Sequence, residues 1–550
     1  MCTLAPCRIL SIAAALGVFF ASTICYGQAT GENSGNPQFR IAGRVVNAKD
    51  GGTLALARVT IRNVKEPKDI QSQLTREDGT FEFHAARGKY SLQGAKRGFI
   101  PATYDQHEQF STAIATGAGV NTEGLLLKLS PLAALSGRVL DASGEPVRQA
   151  RTSLWREEHS SGVSRIVRFR DDVTDDLGTF EFAPLDQATY FLSVTATPWY
   201  AVHPPTQEGG EPTAPTSVDH ALDVVYPITF YSGATESEDA TPIPLRGGDH
   251  LEVELRLQTV PALHVIFRTE VKDERQGFAI PTLMKQTFDG MEVNGERPDT
   301  HVISPGTVEV TTAPGKYTVR LFGTDQSERT SEVDLTQDHQ EIQTSQSESS
   351  SSIEASVHVV DQATIPSGLF LLLRNGKRRG DYFEAVSSGG MATFRSVPPG
   401  TYDVIAGSNN KFYGVVRISS GGRDVARHSL KVPAGGSLPV SLTLAEGSGT
   451  VEGVVNHDGK PMAGAMVVLI PKHPEQNREL FRRDQSDLDG SFSLNGVIAG
   501  TYTVVAIANG WDLDWGKTAV LAKYANRGQT VIVGGPGTVK LAAPAEVQQK

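Results

Sequence analysis

The sequence predicts an all-β protein built as a tandem array of sandwich domains. Three observations predict it. A turn–strand–turn–strand pattern recurs five times along the chain. Within each copy apolar residues fall at every second position, as on a strand with one face in a core and the other in water. Gly and Pro cluster between these runs, and no helical periodicity competes with them.

The copies align on a glycine. They read Gly79-Thr-Phe81-Glu-Phe83, Gly178-Thr-Phe180-Glu-Phe182, Gly306-Thr-Val308-Glu-Val310, Gly390-Met-Ala392-Thr-Phe394 and Gly490-Ser-Phe492-Ser-Leu494. A tyrosine follows in each: Tyr90, Tyr190, Tyr317, Tyr402 and Tyr502. Asp-Gly at 78–79 and 489–490 is a tight-turn signal, because glycine takes positive φ without strain. Each tyrosine is expected to bury its ring while its hydroxyl reaches a backbone carbonyl, as a tyrosine corner does.

An opening strand precedes the pattern. Gly43-Arg-Val-Val46 and Gly137-Arg-Val-Leu140 begin the first two copies, and the second continues through Gly144-Glu-Pro146 to Ala150. The fifth reads Gly453-Val-Val through Gly459-Lys-Pro461 to Ala465. Ala355-Ser-Val opens the fourth, and the third shows no clear glycine. The succession Gly-x-Val, Gly-x-Pro, Asp-x-x-Gly-x-Phe and Gly-x-Tyr resembles the carboxypeptidase regulatory-like domain. That resemblance implies transthyretin-like (prealbumin-like, Ig-like) seven-stranded β-sandwiches, grouped with starch-binding-like and Cna-B-type folds. It also implies an accessory module without a catalytic centre.

A chain of 550 residues has room for about five such domains. The expected boundaries are 38–130, 131–258 with a loop insertion at 203–220, 259–343, 353–445 and 449–541, with a serine-rich linker at 344–352. Each is large enough to bury its own core, which predicts beads joined by brief linkers. Residues 1–29 read as a secretory signal peptide: one charge at Arg8, an apolar run from Ile9 to Ile24, and small residues before Ala29. Cleavage there would remove Cys2, Cys7 and Cys25 and leave no disulfide or thiol chemistry. The expected location is therefore the periplasm, cell surface or exterior, with no later transmembrane segment. A net charge of −11 opposes general nucleic-acid binding.

Catalytic patterns are missing from the sequence. No histidine has Glu three residues on, as zinc carboxypeptidases need, and no His-Glu-x-x-His occurs. Gly-x-Ser-x-Gly and phosphate-cradling glycine loops are likewise not found. Hence no enzyme activity and no cofactor are expected. Asp484, Asp487 and Asp489 offer calcium three carboxylates beside a turn, but Asn495 stands where an EF-hand needs a closing glutamate. Acidic residues recur in the matching turns at Glu77-Asp78 and Asp175-Asp176, which favours turn formation. An isopeptide crosslink, as in some Cna-B-type domains, needs a Lys, an Asn and an acidic residue buried together; Lys89 and Lys316 precede tyrosines, but the other copies carry Thr there.

Carbohydrate is the candidate ligand. Trp511 and Trp515 would share one face of an extended segment, with Asp512 and Asp514 on the other. Trp511 also occupies a recurring aromatic position after the tyrosine, shared with Phe99, Trp199 and Phe412, which argues for packing. Trp515 does not recur. The expected role is an exported non-catalytic binding or structural protein of the bacterial envelope. A polysaccharide or another envelope protein would be its partner. The alternatives are a spacer without a small-molecule site, or an accessory subunit docking an enzyme or outer-membrane transporter.

Overall fold

The computed structural model describes residues 37–159, 162–203, 219–268, 281–288, 290–293, 299–322, 328–343, 348–375, 382–408, 411–425 and 429–550. The signal-peptide stretch, most of the 203–220 insertion and residues 344–347 lie outside them. The regular structure of the described chain is almost all strand, and none of its helices is long and apolar enough to cross a membrane.

Buried apolar side chains gather into separate cores, five of which follow one another along the chain. Their buried members run from Ile41 to Leu129, Ala133 to Leu257, Leu263 to Leu335, Ile353 to Leu444 and Val451 to Ala545. We call the stretches that build them the first to fifth units. In each unit the opening strand lies between two partners. Phe39–Asn47 pairs antiparallel with Thr80–Ala85, which carries Phe81 and Phe83, and parallel with the closing strand Leu125–Leu129. Ala133–Leu140 does the same with Thr179–Leu185 and His250–Arg256. Leu263–Arg268, Ser351–Val359 and Gly449–His457 repeat the arrangement in the other units. Part of the stretch expected as a serine-rich linker is therefore strand.

Register explains why the opening glycine and the Phe-x-Phe strand travel together. Gly43 lies opposite Phe81, Gly137 opposite Phe180 and Gly453 opposite Phe492. The phenylalanine ring covers the glycine, so a Cβ on Gly453 would come within 2.6 Å of Phe492. The fourth unit sets Ala355 against Ala392. The third reverses the sizes, placing Phe267 opposite Val308, which is why it lacks the glycine. In four of the five units a phenylalanine thus meets a smaller residue, as close packing demands, and the fourth sets small against small.

The turn glycines Gly79, Gly178, Gly306, Gly390 and Gly490 all have φ between 70° and 82°. Four of them press on a carbonyl of the opening strand, leaving no space for a Cβ. The tyrosine corner is present in every unit. Each hydroxyl donates to the carbonyl four residues upstream: Ala86, Asp186, Ala313, Pro398 and Ile498, at 2.9–3.2 Å. All five rings are at most 3% exposed. Tyr502→Phe should keep the ring packing and lose that one bond. The expected cost is about 1 kcal/mol, read as reduced hydrogen-exchange protection of Gly500–Ala508 with the other units unchanged.

One helix departs from the all-strand expectation. Thr518–Ala525 is α-helical, built from good helix formers, and buries Leu521 and Tyr524 three residues apart on one face. It covers the outer face of the fifth unit's sheet, where Met466, Val468, Val505 and Ile507 form a second apolar layer.

Candidate functional site

The units fold back on one another instead of forming a string. Lys49 of the first unit meets Asp249 of the second at 3.1 Å. Phe288 of the third packs among Trp155, Phe191 and Phe230 of the second, with ring centroids 5.0–5.4 Å apart. Arg482 of the fifth lies 3.6 Å above the ring of Phe412 of the fourth. The fifth unit then returns to the first and second.

The joint between the first and fifth units is the best-built polar site among the described residues. The segment from Asp105 to Ala113, between two short edge strands, faces the strand Arg482–Gln485 and the turn after it. The Lys89 ammonium donates to Asp487 Oδ2 at 2.5 Å and to Ser491 Oγ at 2.8 Å. The Ala113 amide donates to Asp487 Oδ1 at 2.9 Å, and the Leu488 amide donates to the Ala113 carbonyl at 3.0 Å. Gln485 is buried and its side-chain amide donates to the Asp105 carbonyl and to Thr112 Oγ1. Arg483 pairs with Glu108 at 2.7 Å. The Leu488 side chain packs against the first unit's core. A cleft of about 890 Å³ opens beside this joint, lined by Lys65, Lys89, Asp484, Asp487, Asp489 and Lys540 among others.

Each of the three aspartates has protein partners. Asp489 accepts from the Ser491 amide and hydroxyl, as Asp78 does from Thr80, so it forms the turn. Asp175 plays a similar part in the second unit, bonding Leu177 and Thr179. Asp487 occupies the position of Asp175 yet reaches across to the first unit. Asp484 accepts from the Gln485 and Ser493 amides at 2.9 and 2.6 Å. Burial pushes its carboxyl up to about 6, and the nearby Asp487 charge adds to this. Burial also raises Asp487, outweighing the opposing pull of Lys89.

The tryptophan segment is not extended, which removes the premise that both indoles share a face. Gly510–Asp512 is a turn of 3-10 helix, and the two rings go to different units. Trp511 stacks on His107 of the first unit, centroids 5.0 Å apart and planes 8° apart, and its Nε1 donates to the Gly464 carbonyl. Trp515 lies against Gly162 of the second unit, where a Cβ would sit 2.7 Å from the ring. The Arg483 guanidinium is 4.2 Å from its centroid. Asp514 accepts from the Ser164 amide of the second unit at 3.0 Å and pairs with Lys517. The Lys517 bond holds its carboxyl below the usual range, as Lys550 does for Asp512. Trp511, Trp515 and Asp514 thus sit at joints between units, while Asp512 pairs within its own unit with Lys550.

Two side chains at the recurring aromatic position make such joints. Phe412 meets Arg482 and Trp511 meets His107, while the Phe99 ring packs on its own core and only its backbone bridges to Pro131 at the start of the second unit. Trp199 is the exception, 90% exposed beside Tyr200. Its spacing from the tyrosine is that of Phe99 and Trp511, and nothing in the sequence separates it from them.

No family model matches the sequence, and no curated protein matches it. Among solved structures the chain is similar to the Bacillus anthracis TIE protein, at 13% identity over 76% of each chain and a TM-score of 0.18. It is also similar to a streptococcal ancillary pilin, at 10% identity over 56% of this chain and 98% of that one, TM-score 0.18. A third is the minor pilin GBS52 of Streptococcus agalactiae, at 13% identity over 42% and 99%, TM-score 0.20. Likenesses at this level carry no argument about function, and the all-β fold stands on the chain's own strands.

Proposed function

We propose that this chain is an exported, non-catalytic scaffold of the bacterial cell envelope, a set of five regulatory-like sandwiches locked into one body. One observation carries the reading. Trp511, Trp515, Asp514 and Asp487, among the residues that the sequence offers as a binding site, contact another unit, with Trp511 and Asp487 joining the fifth unit to the first. Residues used this way fix the relative placement of domains, which is what a structural support needs. Polar edges and loops of such a body would dock another envelope protein.

Polysaccharide binding is the second reading, and Trp199 favours it: an indole with 90% of its surface exposed is the kind of face on which a sugar ring stacks. A glycan-array screen of the purified chain separates the two. The scaffold reading expects no saturable binding, together with a scattering envelope as compact as the closed structure. Saturable binding to one glycan class, abolished by Trp199→Ala or Trp515→Ala, would replace it with the binding reading.

A further inference from the structure

A second polar cluster lies where the second unit meets the third. The short ladder of Val224–Val225 with Val260–Pro261 joins the two stretches. It places Asp223 beside the third unit's opening strand, and the Ala262 amide donates to the Asp223 carbonyl at 3.0 Å. His264 follows on that strand, and His203 is the first residue of the insertion. One ligand atom from each of His203, Asp223 and His264 lies within 4.8 Å of the others.

The hydrogen bonding of His264 points to a ligand. Its Nδ1 is 3.2 Å from Asp338 Oδ1, and its main-chain amide donates to the same oxygen at 2.8 Å. A carboxylate only accepts, so Nδ1 carries the proton. In the neutral ring that leaves a lone pair on Nε2. This atom is buried without a hydrogen-bond partner, in a residue only 4% exposed. It faces Asp223 Oδ1 at 3.5 Å, outside hydrogen-bond geometry. A lone pair opposite a carboxylate oxygen in a dry site calls for a positive charge between them.

We propose that His203, Asp223 and His264 bind one zinc ion at this joint. Zinc holds nitrogen and oxygen ligands at about 2.0–2.2 Å, so neighbouring tetrahedral ligand atoms sit about 3.3 Å apart. His203 Nδ1 is 3.0 Å from Asp223 Oδ1, a hydrogen bond whose proton zinc would displace, and His264 Nε2 is 3.5 Å from the same oxygen. Each imidazole also turns its other nitrogen toward an outer carboxylate, as metal-bound histidines do. Asp338 serves His264, and Asp299 lies 3.8 Å from His203 Nε2. Two imidazoles and a carboxylate leave the fourth zinc position to water. The ion would tie the base of the insertion to the third unit and stiffen the joint.

The test is zinc binding by the full chain, purified without a histidine tag and stripped with a chelator. Metal analysis should find one zinc per chain, and calorimetry one site. His264→Gln and Asp223→Asn should abolish it, while His358→Gln, on an exposed strand position, should not. Asp338→Asn keeps all three ligands and should weaken binding about 10–100-fold. Cobalt in place of zinc should give the intense visible absorption of a tetrahedral site. No zinc above buffer level, or equal binding by wild type and both ligand variants, would overturn the proposal. Should a ligand variant fail to fold by circular dichroism, an Asp338→Asn affinity equal to wild type overturns it equally.

Discussion

Gly137→Ala should destabilise the second unit by about 3 kcal/mol, the upper end for overpacking a filled core. The added Cβ would lie 2.2 Å from the Val253 carbonyl oxygen and 2.8 Å from the Phe180 ring. The first contact cannot be relieved by a rotamer, because it is backbone. The parallel pairing of Ala133–Leu140 with His250–Arg256 has to part, and that pairing closes the sheet. Gly144→Ala is the matched control. Its φ is +90°, and nothing lies within 4 Å of the site. It should cost about 1 kcal/mol, from backbone strain alone. Hydrogen exchange across residues 133–257 reads the difference unit by unit, which suits a chain whose unfolding need not be two-state. Equal losses in the two variants would mean that the glycine is needed for conformation and not for clearance.

That contrast bears on what could be read before the structure. The tyrosine corners and the turn glycines were legible because each is a local device, complete within about fifteen residues of sequence. The opening glycine was legible as a motif, but its reason was not. Gly137 answers to Phe180 across a register that only strand pairing reveals. The third unit looked divergent for the same reason: it keeps the volume rule while exchanging Phe267 for glycine and Val308 for phenylalanine. The joints were illegible altogether. Asp487 and Asp175 stand at one motif position, yet one bonds its own turn and the other a different unit. The zinc ligands proposed here are separated by 20 and 41 residues, so no short spacing pattern could find His203, Asp223 and His264. Trp511 and Trp515 misled in the opposite sense, because a 3-10 turn breaks the alternation that would have paired them.

Lys89→Met should loosen the joint between the first and fifth units by about 2 kcal/mol at pH 7. The methionine keeps the apolar stem and removes the charge. Asp487, with a side chain 15% exposed, is then a carboxylate without its cation, while Lys89 at 35% exposure sets the cost below that of a fully buried pair. The effect should depend on pH in a definite direction. Burial already raises the Asp487 carboxyl in the folded chain. A raised acid contributes stability that is complete below its unfolded value and is lost as pH rises through the folded one. Removing Lys89 raises the folded value further, so the variant should match wild type near pH 4 and fall behind as Asp487 is forced to ionise. Adding Asp487→Asn should restore most of the joint at pH 7, because the orphaned charge is gone and a side-chain oxygen still accepts from Ala113. The Leu488 amide, bonded across the joint to the Ala113 carbonyl, is the reporter. About 2 kcal/mol corresponds to roughly thirtyfold faster exchange there. A variant whose deficit is the same at pH 4 and pH 7 would show that Lys89 supports the joint by packing. The ion pair would then contribute nothing to it.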